Sequence, residues 1–346
     1  MRYGIISTGP ISSAFARALA LTDGASVTAV ASRELHSAQR FIEEHGLDDA
    51  AAFDDVAALC ASPEVDAVYI ASPNSLHAPH ALIAIDAGKH VVLEKPAVWN
   101  PAQWDQVFQA AHDANVLIFE AARHLFEPAQ QYILDELAGR RPVSVRMNYS
   151  QYSSRWNAVL AGEEPNIFSL AHGGGALVDL GIYAIYDAVY WFGEPDSLKY
   201  FPTMAPTGVD AAGTLILSYE DFDAVITIAK NGHAETPSDI VFGREALRLS
   251  SVQGIDRVTR YSADNSTLLY ESGARPGTRT MPELMLFEAE FFTTMFTAHS
   301  EGGLTTEQQT RYRELTMLSR TVNDVCTKAR QVAGIFFEGE AGGFTP

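Results

Sequence analysis

Two rhythms of apolar and polar positions divide the 346-residue chain. Through about residue 120, short β-branched runs alternate with helical patterns. Strands are expected at Tyr3–Ser7, Ser26–Ser32, Val65–Ser72, His90–Glu94 and Val116–Ala121, with helices near residues 10–22, 35–45, 54–61, 76–87 and 102–114. Val68-Tyr69-Ile70 and Val91-Val92-Leu93 are apolar at successive rather than alternate positions, which suits strands covered by helices on both faces of a parallel sheet. Gly88 closes the fourth helix and Asn100-Pro101 opens the fifth. After a helix near 126–138 the rhythm changes. Pro142–Tyr152, Gly213–Tyr219, Asp223–Lys230, Ala246–Val252 and Asp256–Ser262 read as strands in hairpin order, interrupted by one helix near 175–192. Helices near 282–298 and 306–332 follow, the last with Thr305 and Gln308 as a capping box, and the tail after Phe337 is expected to be loosely held. The expected architecture is α/β: a doubly wound Rossmann domain over residues 1–122 and an α+β domain with an open, mostly antiparallel sheet over 123–346.

Composition narrows the class. A hydrophobic content of 47% supports two ordinary cores. The net charge of −19, with an isoelectric point near 4.8, speaks against nucleic acid and anionic membrane surfaces as partners. There is neither a membrane-length apolar run nor a signal-peptide pattern at MRYGIIS, so a cytoplasmic protein is expected. Cys60 and Cys326 read as buried, reduced thiols, and no metal-ligating cluster is expected.

The first strand–helix junction, GIISTGPIS, sits where a dinucleotide-binding turn belongs. The three positions of the G-x-G-x-x-G pattern hold Ser7, Gly9 and Ser12. Gly9 is the one that lets backbone approach a pyrophosphate, and Pro10 and Ile11 open the helix whose N–H groups face the phosphates. At the tip of the second strand, Ser32 and Arg33 offer a hydroxyl and a guanidinium, which suit the 2′-phosphate of NADP; Glu34 keeps NAD possible.

These stretches, together with ASPNSLHAPHALIAIDAGKHVVLEKP, EAARHLFEP, GGGALVDLGIY and the closing AGIFF, resemble the glucose–fructose oxidoreductase/inositol dehydrogenase (Gfo/Idh/MocA) family over nearly the whole chain. The likeness is greatest to the branch of dimeric dihydrodiol dehydrogenases and aldose dehydrogenase-like enzymes. It implies that Lys95, before Pro96 in a cis peptide, serves the nicotinamide and the reacting carbon, and that Glu94 orients it or contacts cofactor ribose. Ser72, Asn74 and His77 are implied to lie along the cofactor. Asp179 and Tyr183 match D-x-G-x-Y and are implied to act on the substrate. Physical reasoning points to the same set: moving a hydride from an alcohol carbon needs a group to exchange the hydroxyl proton, and a tyrosine with a lysine can supply it. His172, before the glycine loop, is a substrate candidate. Arg123 is another, standing where the family has an apolar residue, while Leu125 occupies the usual arginine position. The resemblance implies an NADP(H)-dependent dehydrogenase for a sugar, polyol or trans-dihydrodiol; the open second-domain sheet, rich in Ile, Val and Leu, is expected to find cover in a homodimer or homotetramer. Two other readings stay open: an enzyme that keeps and recycles NAD(P), and a redox-silent regulator that binds dinucleotide.

Overall fold

The computed structural model describes residues 1–274 and 276–340. The chain divides into two compact units: Met1–Arg123 with Thr280–Arg320, and His124–Arg279 with the chain from Thr321 onward. The first crossing falls one residue beyond the expected limit at 122. Thr280–Arg320, expected in the second domain, packs with the first.

In the first unit the chain alternates strand and helix: β1 (Arg2–Ile6), α1 (Pro10–Leu19), β2 (Ser26–Ala31), α2 (Leu35–His45), β3 (Ala51–Phe53), α3 (Val56–Ala61), β4 (Ala67–Ile70), α4 (His77–Asp86), β5 (His90–Glu94), α5 (Pro101–Asp113) and β6 (Ile118–Ala121). All strands are parallel, in the order β3-β2-β1-β4-β5-β6. Order reverses beside β1, so the carboxyl ends of β1 and β4 flank the crevice where ligands bind doubly wound sheets. Only β3 was not foreseen: three residues carry too little pattern.

The continuous apolar runs find cover on both faces, as their composition demands. On one face Ile6, Val68, Ile70, Val91 and Leu93 pack with Trp104, Val107 and Phe108. The other face is held by α1, where Phe15 stacks on Tyr69 at 3.9 Å. It is completed by the long helix of the Thr280–Arg320 segment, from which Thr293 hydrogen-bonds Tyr3 (2.9 Å) and Phe292 and Phe296 meet Phe119. That need for cover is why the segment joins the first unit.

The second unit begins with α6 (Ala129–Leu137), β7 (Ser144–Ser150), α7 (Trp156–Leu160) and α8 (Ile182–Phe192). It continues through β8 (Ser197–Met204), β9 (Asp210–Ser218), β10 (Asp223–Ala229), β11 (Ser238–Phe242), β12 (Glu245–Leu249), β13 (Arg257–Tyr261) and β14 (Ser266–Glu271). Its eight-stranded sheet runs β14-β13-β12-β11-β7-β10-β9-β8, antiparallel except for the parallel pair β7–β10. The strands that the pattern did not reveal include both edges. β8 buries Tyr200 alone and carries Pro202, and β14 buries none of its residues, so neither shows the alternation of a half-covered strand. The closing helices are α9 (Met281–Glu301) and α10 (Thr306–Val332), the latter opened by the expected Thr305/Gln308 box. Part of the tail is tied down: Arg330 pairs with Glu340 at 2.9 Å, both nearly fully buried. Residues 341–346 lie outside the described residues. Cys60 and Cys326 are buried thiols, and burial pushes the Cys60 thiol up to about 11. Among the described residues no helix is long and apolar enough to cross a membrane.

His90 joins α9 to the first sheet. Its Nδ1 accepts from the Leu117 N–H (2.9 Å), which leaves the hydrogen on Nε2 facing Ser300 Oγ (3.3 Å), and the ring stacks on Phe296 at 4.8 Å. Burial, aided by His299, lowers the imidazole from 6.5 to about 4. A base held below its unfolded value contributes stability above pH 6.5 and loses it as pH falls toward the folded value. That amounts to about 2 kcal/mol between pH 7 and pH 5. Urea unfolding at the two pH values should show His90→Gln flattening the wild-type dependence by about this amount.

Candidate functional site

In the first unit the cofactor candidates gather at the carboxyl ends of the parallel strands. Ser7 follows β1 with φ +96°, a conformation that glycine adopts without strain and serine does not. Its N–H donates to Ala31 O at 2.9 Å, joining the first turn to the tip of β2. Gly9 is the N-cap of α1, Pro10 is its first residue and Ile11 follows; no side chain caps this helix and its first turn holds no acid. A Cβ on Gly9 would meet nothing nearer than Ser7 Oγ at 3.8 Å, so the helix start is open on that side. Ser12 lies wholly buried at the third motif position. Ser32 donates its N–H to Phe53 O (3.1 Å), and Arg33 and Glu34 are exposed beyond it. An uncapped, acid-free helix start with room beside Gly9 and an exposed guanidinium at the neighbouring strand tip fits a dinucleotide.

The turn after β5 is held by hydrogen bonds from several segments of this unit. The Lys95–Pro96 peptide is cis. Before it, Glu94 accepts from Tyr69 Oη (2.5 Å) and from the Lys95 N–H (3.2 Å). After it, His77 Nδ1 lies 2.9 Å from Pro96 O and Nε2 2.9 Å from Ser72 O, while Glu120 accepts from the Ala97 N–H at 3.0 Å. Glu120 is held in turn by Ser319 Oγ (2.5 Å), which Trp104 Nε1 also contacts (2.9 Å). Burial lowers His77 below its ordinary value; as a neutral ring it donates to one of its two carbonyls. His77 therefore sits inside the fold as a brace between two loops. Ser72 Oγ meets His80 Nδ1 (3.0 Å), and Asn74 opens the 3₁₀ turn that leads into α4.

Arg123 is also interior, 2% exposed, and its charge acts on Glu94 and Glu288. Sequence reasoning missed Tyr69 and Glu120, whose places within apolar patterns conceal polar contacts made across the fold, and Glu288, a carboxyl buried within an apolar helix pattern.

In the second unit, Asp179 and Tyr183 project from a helix that changes character between them. Leu177–Gly181 forms a π turn and α8 follows from Ile182; such inserts occur often at functional sites. The entry is pinned by Asp210, whose carboxylate accepts from Tyr200 Oη (2.5 Å) and the Leu177 N–H (2.6 Å). The glycine loop before it is sterically required. A Cβ on Gly174 would lie 2.5 Å from the Ile167 backbone, and Gly175, at φ +132°, would put one 2.2 Å from Asp210. Asp179 pairs with Lys230, the residue after β10, at 2.5 Å. Tyr183 is 7% exposed, with the rings of His124 (5.0 Å) and Tyr149 (5.6 Å) beside it. Behind them His124 lies 3.5 Å from the fully buried Asp187, whose carboxyl is raised well above its ordinary value by burial. His172 is half-buried in a 3₁₀ turn ended by Gly173. Lys230 was missed because one lysine at a strand end carries no pattern. Among the described residues no cluster of histidine, cysteine or acid could hold a metal.

Glu288 supplies a test of the polar interior. Burial, reinforced by Glu94, raises its carboxyl well above the ordinary value, with Arg123 opposing. The folded state keeps the proton that the unfolded state loses above about pH 4.5, so stability is lost as pH rises from there. Glu288→Gln should match the wild-type melting temperature near pH 4 and exceed it by a margin that grows to pH 7, measured by calorimetry.

Comparison with known proteins identifies the family of both parts of the chain. Residues 1–122 match the model of the oxidoreductase family GFO_IDH_MocA, described as an NAD-binding Rossmann fold, and residues 126–246 match the GFO/IDH/MocA C-terminal domain. The chain is similar to the scyllo-inositol 2-dehydrogenase (NADP(+)) IolU of Bacillus subtilis (strain 168), 33% identical over 98% of this chain and 99% of the relative. It is similar to the trans-1,2-dihydrobenzene-1,2-diol dehydrogenase of Danio rerio, 31% identical over 71% and 72% of the two chains. In fold it resembles a 3-ketoreductase from Actinomadura kijaniata, solved with NADP and TDP-benzene, at a TM-score of 0.79 and 22% identity, covering 95% of this chain and 97% of that one. The chain belongs to the Gfo/Idh/MocA family and is an NAD(P)-dependent oxidoreductase.

Proposed function

We propose that this enzyme uses NADP(H) to interconvert a secondary hydroxyl and a ketone on a sugar or cyclic polyol. The observation that carries this reading is the junction of π turn and α8, which presents a carboxylate and a phenol four residues apart. Asp179 accepts hydrogen bonds from substrate hydroxyls, and Tyr183 takes the proton of the reacting hydroxyl during oxidation and returns it during reduction. Lys95 supplies positive charge to the oxygen that carries developing negative charge, on a backbone its neighbours keep from shifting. The nicotinamide, when bound, supplies the hydride acceptor for oxidation and the donor for reduction. Two relatives support the substrate class: their names denote a cyclic polyol and a ring dihydrodiol, both with neighbouring hydroxyls. Ser32 and Arg33 support NADP, because a guanidinium can pair with a 2′-phosphate. Copies of the chain pair through the sheet face carrying Ile216 and Val225, which stand in register on β9 and β10.

The decisive assay follows nicotinamide absorbance with NADP⁺ and NAD⁺ across inositols, aldoses and trans-dihydrodiols. Turnover with one class, faster with NADP⁺, is expected; silence across the panel with cofactor still bound would overturn the reading. Tyr183→Phe and Lys95→Met should each lower kcat by about 10²-fold or more. Arg33→Ala should cut the preference for NADP⁺ over NAD⁺ about tenfold, the worth of one charge-assisted contact.

A further inference from the structure

One interaction in the second unit has no part in the chemistry proposed for Lys95, Asp179 and Tyr183. Lys230 follows β10 with its ammonium 2.5 Å from Asp179 Oδ2 and 4.8 Å from the centre of the Phe168 ring. Its side chain is 2% exposed, whereas that of Asp179 is 24% exposed. The lysine backbone is held on both sides: its N–H donates to Ala211 O and its carbonyl accepts from the Ser153 N–H, each at 2.8 Å. The ammonium also acts on Asp210, which pins the start of the π turn.

Withdrawing an ammonium from water is costly, and an apolar side chain would serve packing better. Of the pair, the carboxylate is the member that meets solvent. We propose that Lys230 is a positioning residue for the substrate: its buried ammonium holds the Asp179 carboxylate charged and in one orientation, so that Asp179 accepts from a hydroxyl beside the reacting carbon. The inference rests on the proposed function and deepens it. It makes Asp179 a fixed acceptor and not the proton-transfer group, and it makes the preferred substrate a vicinal diol. A buried, paired carboxylate rewards a substrate hydroxyl and penalises its absence, because an analogue without it leaves the acceptor desolvated and unsatisfied.

The test uses the full chain loaded with NADP⁺ and whichever polyol the wild type oxidises, alongside the analogue lacking the neighbouring hydroxyl. Lys230→Met, Asp179→Asn and the double variant are compared for KM, kcat, cofactor affinity by fluorescence titration, and melting temperature. Lys230→Met should raise KM for the polyol about tenfold, change kcat by less than about threefold and leave cofactor affinity unchanged. The double variant should be no worse than the poorer single one, since both remove one interaction. The wild-type preference for the diol over its deoxy analogue should collapse in every variant. Should Lys230→Met fail to fold, Lys230→Gln, which keeps a donor without the charge, carries the same comparison. A lower melting temperature with unchanged KM and unchanged diol preference, or losses that multiply in the double variant, would overturn the proposal and leave the dehydrogenase reading intact. A wild type that neither oxidises nor binds any polyol would overturn the dehydrogenase reading and this proposal with it.

Discussion

Glu94, Pro96 and Ala97 each have a backbone or side-chain group anchored to a different part of the first unit, and the position of Lys95 depends on all three. Tyr69 reaches Glu94 from the neighbouring strand, His77 reaches Pro96 O from the start of α4, and Glu120 reaches the Ala97 N–H from β6. Each partner is buried, so losing any one would leave a polar group unsatisfied away from water. Burial raises the Glu94 carboxyl above its ordinary value, and the neighbouring Lys95 charge opposes that rise. The same constraint reaches the hydrophobic face. Tyr69 stacks on Phe15 of α1, and α9 closes the sheet beyond it through Thr293 and Phe296. Packing of aromatic rings thereby fixes the polar group that holds the lysine turn.

The second unit solves a parallel problem with Asp210. One buried carboxylate holds Tyr200 and the first N–H of the π turn, and the glycines opposite it are small because a Cβ would collide with backbone or with Asp210 itself. Gly213 belongs to the same arrangement: a Cβ there would lie 2.4 Å from Tyr200 Oη, so its absence lets the phenol cross β9 to reach Asp210. The junction is anchored at its base by Asp210 and carries the partly exposed Asp179 and the buried Tyr183. Rigid support beneath a few reacting groups is what preorganised catalysis requires.

Much of this was legible in the chain. Successive apolar positions in β4 and β5 announced a sheet covered twice, and Asn100, Gly88 and Thr305 marked helix ends that the hydrogen bonds reproduce. The motif around Gly9 and the Glu94-Lys95-Pro96 turn stood out because their chemistry is local: a glycine beside a helix start, a lysine before a proline. Edge strands β8 and β14 were illegible for the opposite reason. They bury too little to leave an alternating imprint, and their pairing is decided by the strands beside them.

Sequence by itself determined which residues could do chemistry and which segments must be hidden from water, because side-chain type and apolar spacing are written along the chain. Tertiary structure alone decided which polar groups became partners. Lys230 and Asp179 are separated by 51 positions, Glu120 and Ser319 by 199, and nothing local to any of them signals the other. Such pairs form because burial leaves each group no water to bond, so the fold must bring it a partner from wherever the chain passes. That requirement moved Arg123 and His77 from expected contact surfaces into the interior, and it revealed a lysine that no motif contains.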